Sequence, residues 1–248
     1  MPQPHPGPAP TLLLTGFEPF GGDEANPSWE IAARLEGWEV REQAAARRDN
    51  TGRPAPLLAV VRSVQLPCVF HQALAVLDAA CERFQPVAVI ALGLAASRAE
   101  ISVERVAINV DDARIPDNAG RQPIDSLVCH GGPVAYWSSL PIKRIVAAMR
   151  AAGIEASVSQ SAGTFVCNHV FYGLAHRLAA ARASSAPAPR GGFIHVPWPG
   201  DWEPPAPVHG VVAGSMQLDT LAEAIRIAIR VTLTAGEGDL KLPGGAIA

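Results

Sequence analysis

Val87-Ala88-Val89-Ile90-Ala91-Leu92 is an apolar run with no polar interruption. A strand wetted on one face alternates apolar and polar residues, whereas a parallel strand covered by helices on both faces reads as continuous Val/Ile/Leu/Ala. Strand-like and helix-like segments alternate outward from this run. Before it, Leu12-Leu13-Leu14 reads as a short strand, and a helix is expected around Pro27 to Leu35, where Pro27 suits a first turn. Val61 to Leu66 reads as a strand, and residues 72–84 carry Leu74, Leu77 and Cys81 at helical spacing. After it, Arg105 to Val110 alternates like a strand, while Ile142, Ile145, Val146 and Met149 mark a helix. Ala156 to Val158 reads as a buried strand, Val170 to Ala180 as a helix and Phe193 to Val196 as a strand. Leu218, Leu221, Ile225 and Ile229 form a last helical stripe behind a cap at Ser215. This order predicts an α/β fold: a single three-layer domain over residues 11–235, with a mostly parallel twisted sheet flanked by helices. The Pro/Gly/Ala-rich tails, 1–10 and 236–248, are expected to fray, and the polar, arginine-rich stretch 39–58 reads as a mobile insertion.

Composition narrows the function. A chain of 248 residues buries roughly 70–75% of its unfolded surface and needs neither disulfides nor metal to hold together. Hydrophobic residues make up 48%, charged residues 17%, and net charge is −3 with no long basic run, which gives no electrostatic case for nucleic acid. Arg47, Arg48 and Arg53 lie in the polar stretch and read as a solvated loop. Met1 to Pro10 has no apolar core and so does not read as a signal peptide. No segment reaches the roughly 20 apolar residues of a membrane-spanning helix. The four cysteines, Cys68, Cys81, Cys129 and Cys167, are scattered without a C-x-x-C pair, which suits free thiols in a reducing cytoplasm and disfavours a zinc site.

One cysteine stands apart. Ser161-Ala162-Gly163-Thr164-Phe165-Val166-Cys167-Asn168-His169 turns from strand to helix through small residues and places Cys167 where the helix begins. Unpaired backbone N–H groups at a helix start favour a thiolate and so a nucleophile. Read alone, the segment equally suits a buried cysteine serving as a small hydrophobe. A nucleophilic thiol needs a base, and the base an orienting group. Of the seven histidines, His5, His71, His130 and His209 sit in tail, turn or loop settings. His169, two residues along a helix from Cys167, points roughly 200° away, and His176 is more than two turns further on. His195 lies near the carboxyl end of its strand, where open parallel sheets bind ligands. Glu104 heads an apolar run, where a carboxylate is unexpected without a partner. Asp111, Asp112 and Asp117, around Pro116, compete with it as turn residues.

Four stretches taken together resemble the pyroglutamyl peptidase I (pyrrolidone-carboxylate peptidase) family of cysteine peptidases. They are Leu14-Thr15-Gly16-Phe17-Glu18-Pro19-Phe20-Gly21-Gly22 with Asn26-Pro27-Ser28; Glu104 to Val110 with Asp112 to Asn118; the Cys167 segment; and Gly191-Gly192-Phe193-Ile194-His195-Val196-Pro197. Pro141-Ile142-Lys143-Arg144 is a weaker fifth block, and the similarity runs from about residue 11 to 233. The resemblance implies Cys167 as nucleophile, His195 as base and Glu104 as its orienter, acting on peptides with an N-terminal pyroglutamyl residue. It implies a lactam pocket of Phe17, Phe20, Ile115, Phe165 and Val166, with backbone near Leu94 binding the lactam. Asn26 would brace the loop, and Arg114 would orient groups near the thiol or tie down its own loop. It further implies no cofactor and no metal, a cytoplasmic location, and a homo-oligomer, tetramer or dimer. Two features depart from the family's pattern: Leu94-Ala95-Ala96-Ser97-Arg98 stands where many relatives have a glycine-containing turn, and Cys68 stands where a threonine is expected.

Two other classes remain open from sequence. A nucleoside phosphorylase shares this kind of α/β fold but needs an arginine-rich phosphate site, and fold alone does not supply function. A binding protein that kept the pocket and lost activity is the other.

Overall fold

A computed structural model describes residues 9–42, 55–184, 189–203 and 216–244. Its main sheet has seven strands in the order β2-β3-β1-β4-β9-β5-β8. They are β1 (Thr11–Phe17), β2 (Glu39–Arg41), β3 (Leu57–Leu66), β4 (Ala88–Leu94), β5 (Ile101–Glu104), β8 (Ala156–Ser159) and β9 (Arg190–Val196). The β3-β1-β4-β9 core is parallel, as is β5 with β8, while β2–β3 and β5–β9 pair antiparallel. β6 (Val106–Ile108) and β7 (Ala135–Trp137) form a separate antiparallel pair. The helices are α1 (Pro27–Arg34), α2 (Gln72–Phe84), α3 (Ile142–Ala151), α4 (Val166–Ser184) and α5 (Leu218–Thr234). The expected layered α/β architecture with a mostly parallel sheet is what the chain adopts.

Side-chain alternation explains the layers. Leu12, Leu14, Ile90, Leu92, Ile194 and Val196 face one way, into a core shared with α1, α3 and α5. Leu13, Val89, Ala91 and Phe193 face the other way, onto α2 and α4. Both faces of β1, β4 and β9 are therefore buried, which is why these strands have no polar stripe.

Several expectations are corrected. Of the strand read from Arg105 to Val110, Val106–Ile108 is a strand, β6, but it lies outside the main sheet; β5, which ends at Glu104 just before it, was not read from sequence. The helix at Cys167 runs from Val166 to Ser184, so it starts within one residue of where sequence placed Cys167 and extends beyond the Val170 to Ala180 stretch at both ends. The stretch 39–58 opens with β2 and closes with the start of β3; its centre, with Arg47, Arg48 and Arg53, lies outside the described residues. So do His5, His209 and Ser215. Residues 236–244, read as part of a fraying tail, are tied to the body. Asp239 accepts hydrogen bonds from the backbone N–H of Lys143 and Arg144 at the start of α3 (2.8 and 3.0 Å), and Gly244 O accepts one from Arg105 (2.9 Å). Among the described residues no helix is long and apolar enough to cross a membrane.

Candidate active site

Sheet register builds the site. Ser102 of β5 pairs with His195 of β9, so both side chains share a face, and Glu104, two residues on, shares it as well. Gly93 of β4 pairs with His195 from the other side. This is the Phe193 face, which packs against α4 and so against Cys167. Cys167 is the second residue of that helix, among the first N–H groups, which have no intrahelical acceptor. The turn into the helix passes through Gly163 at φ 78°, a conformation that L side chains rarely adopt.

His195 Nδ1 lies 2.8 Å from Glu104 Oε1. Arg98 Nη1 donates to the same oxygen at 2.7 Å and Arg98 Nη2 to Ser161 O at 3.0 Å. Glu104 has no solvent exposure. Burial alone would raise its pKa, but the hydrogen bond and charge of His195, with Arg98 adding to them, hold the carboxyl below the ordinary glutamate value. An ionised carboxylate only accepts, so Nδ1 carries the proton and Nε2 is left as an acceptor. For the sulfur, burial first and the Glu104 charge second push the Cys167 thiol up to about 12, against the opposing pull of Arg98. Burial and the Glu104 carboxylate thus oppose the thiolate that the helix start favours, which leaves deprotonation of the sulfur to a base.

A cavity of about 400 Å³ opens over these residues, lined by Cys167, His195, Arg98, Asn26, Cys68, Leu94, Arg114, Phe17, Phe20, Ile115 and Phe165, among others. Phe165 packs against Phe20 at a tilt (centroids 5.2 Å apart, planes 45° apart) and meets Phe70 edge-on at 5.3 Å. Asn26 caps α1: its Oδ1 accepts from Ser28 N (3.1 Å) and Ser28 Oγ (2.8 Å), and its Nδ2 donates to Glu18 O (3.0 Å). Glu18 Oε1 in turn accepts from Cys68 N (3.0 Å) and Asn118 Nδ2 (2.7 Å), so three loops are cross-linked around the rim. Burial, with the neighbouring charges of Cys167, Glu18 and Asp117, pushes the Cys68 thiol well above its ordinary value.

Of the catalytic and pocket residues expected from sequence, Val166 and Glu104 do not line the cavity: Val166 is fully buried in the core beneath, and Glu104 is buried behind His195. Of the rival acids, Asp112 does line the cavity, its backbone bonded to Thr164, while the other two are engaged elsewhere. Asp111 is buried against His169 (2.8 Å), and Asp117 accepts Phe70 N, Ala119 N and Arg121 N. Sequence reading missed the roles of Arg98 and Gly93. A Cβ at Gly93 would lie 2.9 Å from Cys167 Sγ and 2.7 Å from the Phe193 ring, so the strand is bare where sulfur and ring need the space. A glycine inside an otherwise apolar strand was the available signal.

A helix-start thiol and a carboxylate-bound imidazole lining one cavity at the strand ends of an α/β sheet are the equipment of a cysteine peptidase. The pyroglutamyl peptidase family model matches residues 11–235. The pyrrolidone-carboxylate peptidase of Klebsiella pneumoniae (strain 342) is 51% identical over 95% of this chain and 98% of its own length. That of Cupriavidus taiwanensis is 48% identical over 96% and 99%. The crystal structure of Bacillus amyloliquefaciens pyroglutamyl peptidase I superposes with a TM-score of 0.76 at 43% identity, covering 93% of this chain and all of the other. A variant pyrrolidone carboxyl peptidase from Pyrococcus furiosus gives 0.74 at 37% identity, covering 90% and 98%. This chain belongs to the pyroglutamyl peptidase family.

Proposed function

We propose that the protein is a cysteine aminopeptidase that removes N-terminal pyroglutamate from peptides, with Cys167 as nucleophile, His195 as base and Glu104 as its orienter. The observation that carries the reading is the His195–Glu104 contact at 2.8 Å beside a cavity into which Cys167 also opens. Proton transfer from Cys167 to His195 Nε2 accompanies attack on the pyroglutamyl carbonyl. Backbone N–H groups at the start of α4 receive the oxyanion, the imidazolium protonates the departing amine, and water then releases the acyl group. Phe17, Phe20, Ile115 and Phe165 wall the lactam ring, and backbone near Leu94 bonds its polar edge. Val166 supports that wall from below.

Residues 11–235 would act as one catalytic domain. Four free thiols suit a cytoplasmic location. A homo-oligomer, tetramer or dimer, is supported by the apolar surface of Val134 and Trp137, 88% and 72% exposed; sedimentation tests it. Hydrolysis of a chromogenic pyroglutamyl amide tests the activity. Turnover without added phosphate, abolished by alkylating Cys167, is expected; no turnover, or a requirement for phosphate, would reject it.

A further inference from the structure

A second thiol outside the cavity has an imidazole of its own. Cys129 Sγ lies 3.8 Å from His176 Nε2, and His176 Nδ1 lies 2.8 Å from the Tyr136 hydroxyl. The Tyr172 ring stacks on the imidazole with planes 12° apart, which fixes its orientation. The cysteine backbone is clamped by Asn109, whose Oδ1 accepts from Cys129 N and whose Nδ2 donates to Cys129 O, each at 2.9 Å. The sulfur's other neighbour is the carbonyl of His130 at 3.7 Å. Cys129 and His176 are both half-buried, so small reagents reach the sulfur, and neither lines the catalytic cavity. Cys68 and Cys81 lack this combination: both are buried, and burial pushes Cys81 up to about 11.

The geometry points to Cys129 as a second reactive thiol, a site of mixed-disulfide formation with low-molecular-mass disulfides. His176 Nε2 accepts the thiol proton while Nδ1–H donates to the Tyr136 hydroxyl, which holds the ring facing the sulfur. The thiolate attacks one sulfur of the small disulfide; a Cys129 S–S bond forms, the reagent's S–S bond breaks, and the departing thiolate takes the proton from His176. No net oxidant beyond the disulfide is consumed.

The test uses the full chain carrying Cys167→Ser, so that the cavity thiol does not compete, with oxidised glutathione as probe. Peptide mapping by mass spectrometry follows the rate at Cys129 in the native protein and in the same protein unfolded in urea. Native Cys129 is expected to react at least fivefold faster than the unfolded thiol, and faster than native Cys68 or Cys81. His176→Gln should remove that acceleration, and Tyr136→Phe should reduce it. Native reaction no faster than in the unfolded chain overturns the assignment without reliance on any His176 variant. Equal native rates with and without His176 would overturn it as well.

Discussion

At the level of single residues, the proposed roles differ in how much each removal should cost. Cys167→Ser should fold normally yet lose nearly all turnover of pyroglutamyl amide. His195→Ala should approach that loss. Glu104→Gln keeps the shape but not the charge, so a smaller yet large fall is expected, on the scale of about 10²–10⁴-fold for general-base catalysis. Greater damage from Asp111→Asn or Asp112→Asn than from Glu104→Gln would transfer the orienting role. The raised thiol makes a separate prediction. With its pKa at about 12, the thiolate fraction of Cys167 climbs about tenfold per pH unit through neutrality. The rate of inactivation by iodoacetamide should therefore keep rising from pH 7 to 9; a plateau there would reveal a resting ion pair. Arg98→Met removes one of the groups that depress Glu104. The carboxyl pKa should rise toward its ordinary value, moving the acid limb of kcat/KM upward in pH. Activity near neutrality should fall about 10- to 100-fold, the value of a hydrogen bond to a charged group. An unmoved acid limb would leave Arg98 as a loop tie alone.

Among the elements, β4 and β9 matter most, and both were legible in the sequence because burial on two faces leaves a strand no polar residues to hide behind. The face that carries His195 was less legible, since it follows from pairing register, which no single segment encodes. β2 and β7, three residues each, are too short to show any period. The change of sheet at Arg105 was hidden because Ile101 and Val103 before it and Val106 and Ile108 after it continue the same alternation. In the site, Cys167 and His195 announced themselves by position at element ends, and the family resemblance supplied Glu104. Arg98 did not, because a loop arginine has no pattern until its carboxylate is known. Gly93→Ala tests the register argument. Its Cβ would press on Cys167 Sγ and Phe193, with an overpacking cost of about 1–3 kcal/mol. Turnover should drop by an order of magnitude or more while thermal unfolding shows a folded protein. Unchanged kcat/KM would mean that the sulfur does not need this space.

For the molecule as a whole, the cross-linked loops and aromatic walls predict a sharp choice of ring. Pyroglutamate differs from proline in carrying a lactam carbonyl and a neutral N–H in place of a protonated amine. A pocket walled by Phe17, Phe20 and Phe165 would have to desolvate the prolyl cation, at a cost of several kcal/mol without a partner. Backbone groups that bond the lactam would also be left unpaired, and such sites reject analogues by about 10⁴-fold or more. Pyroglutamyl amides should be cleaved rapidly, and prolyl, glutamyl and glutaminyl amides hardly at all. Phe20→Ala should weaken the pyroglutamyl reaction without creating a prolyl one. Comparable kcat/KM for pyroglutamyl and prolyl amides would sink the proposed specificity even with Cys167 as nucleophile.

The strand order also sets a timetable. β9 lies between β4 and β5 although about a hundred residues separate it in sequence from β4. On the ribosome, then, β1, β3 and β4 can assemble early, but the apolar edge of β4 stays unpaired until residue 196 has emerged. During that interval the nascent chain presents an open, uncharged strand edge, the kind that recruits neighbouring chains. The strand that delivers His195 is also the one that closes this edge, so the catalytic histidine arrives in the same step that makes the sheet safe.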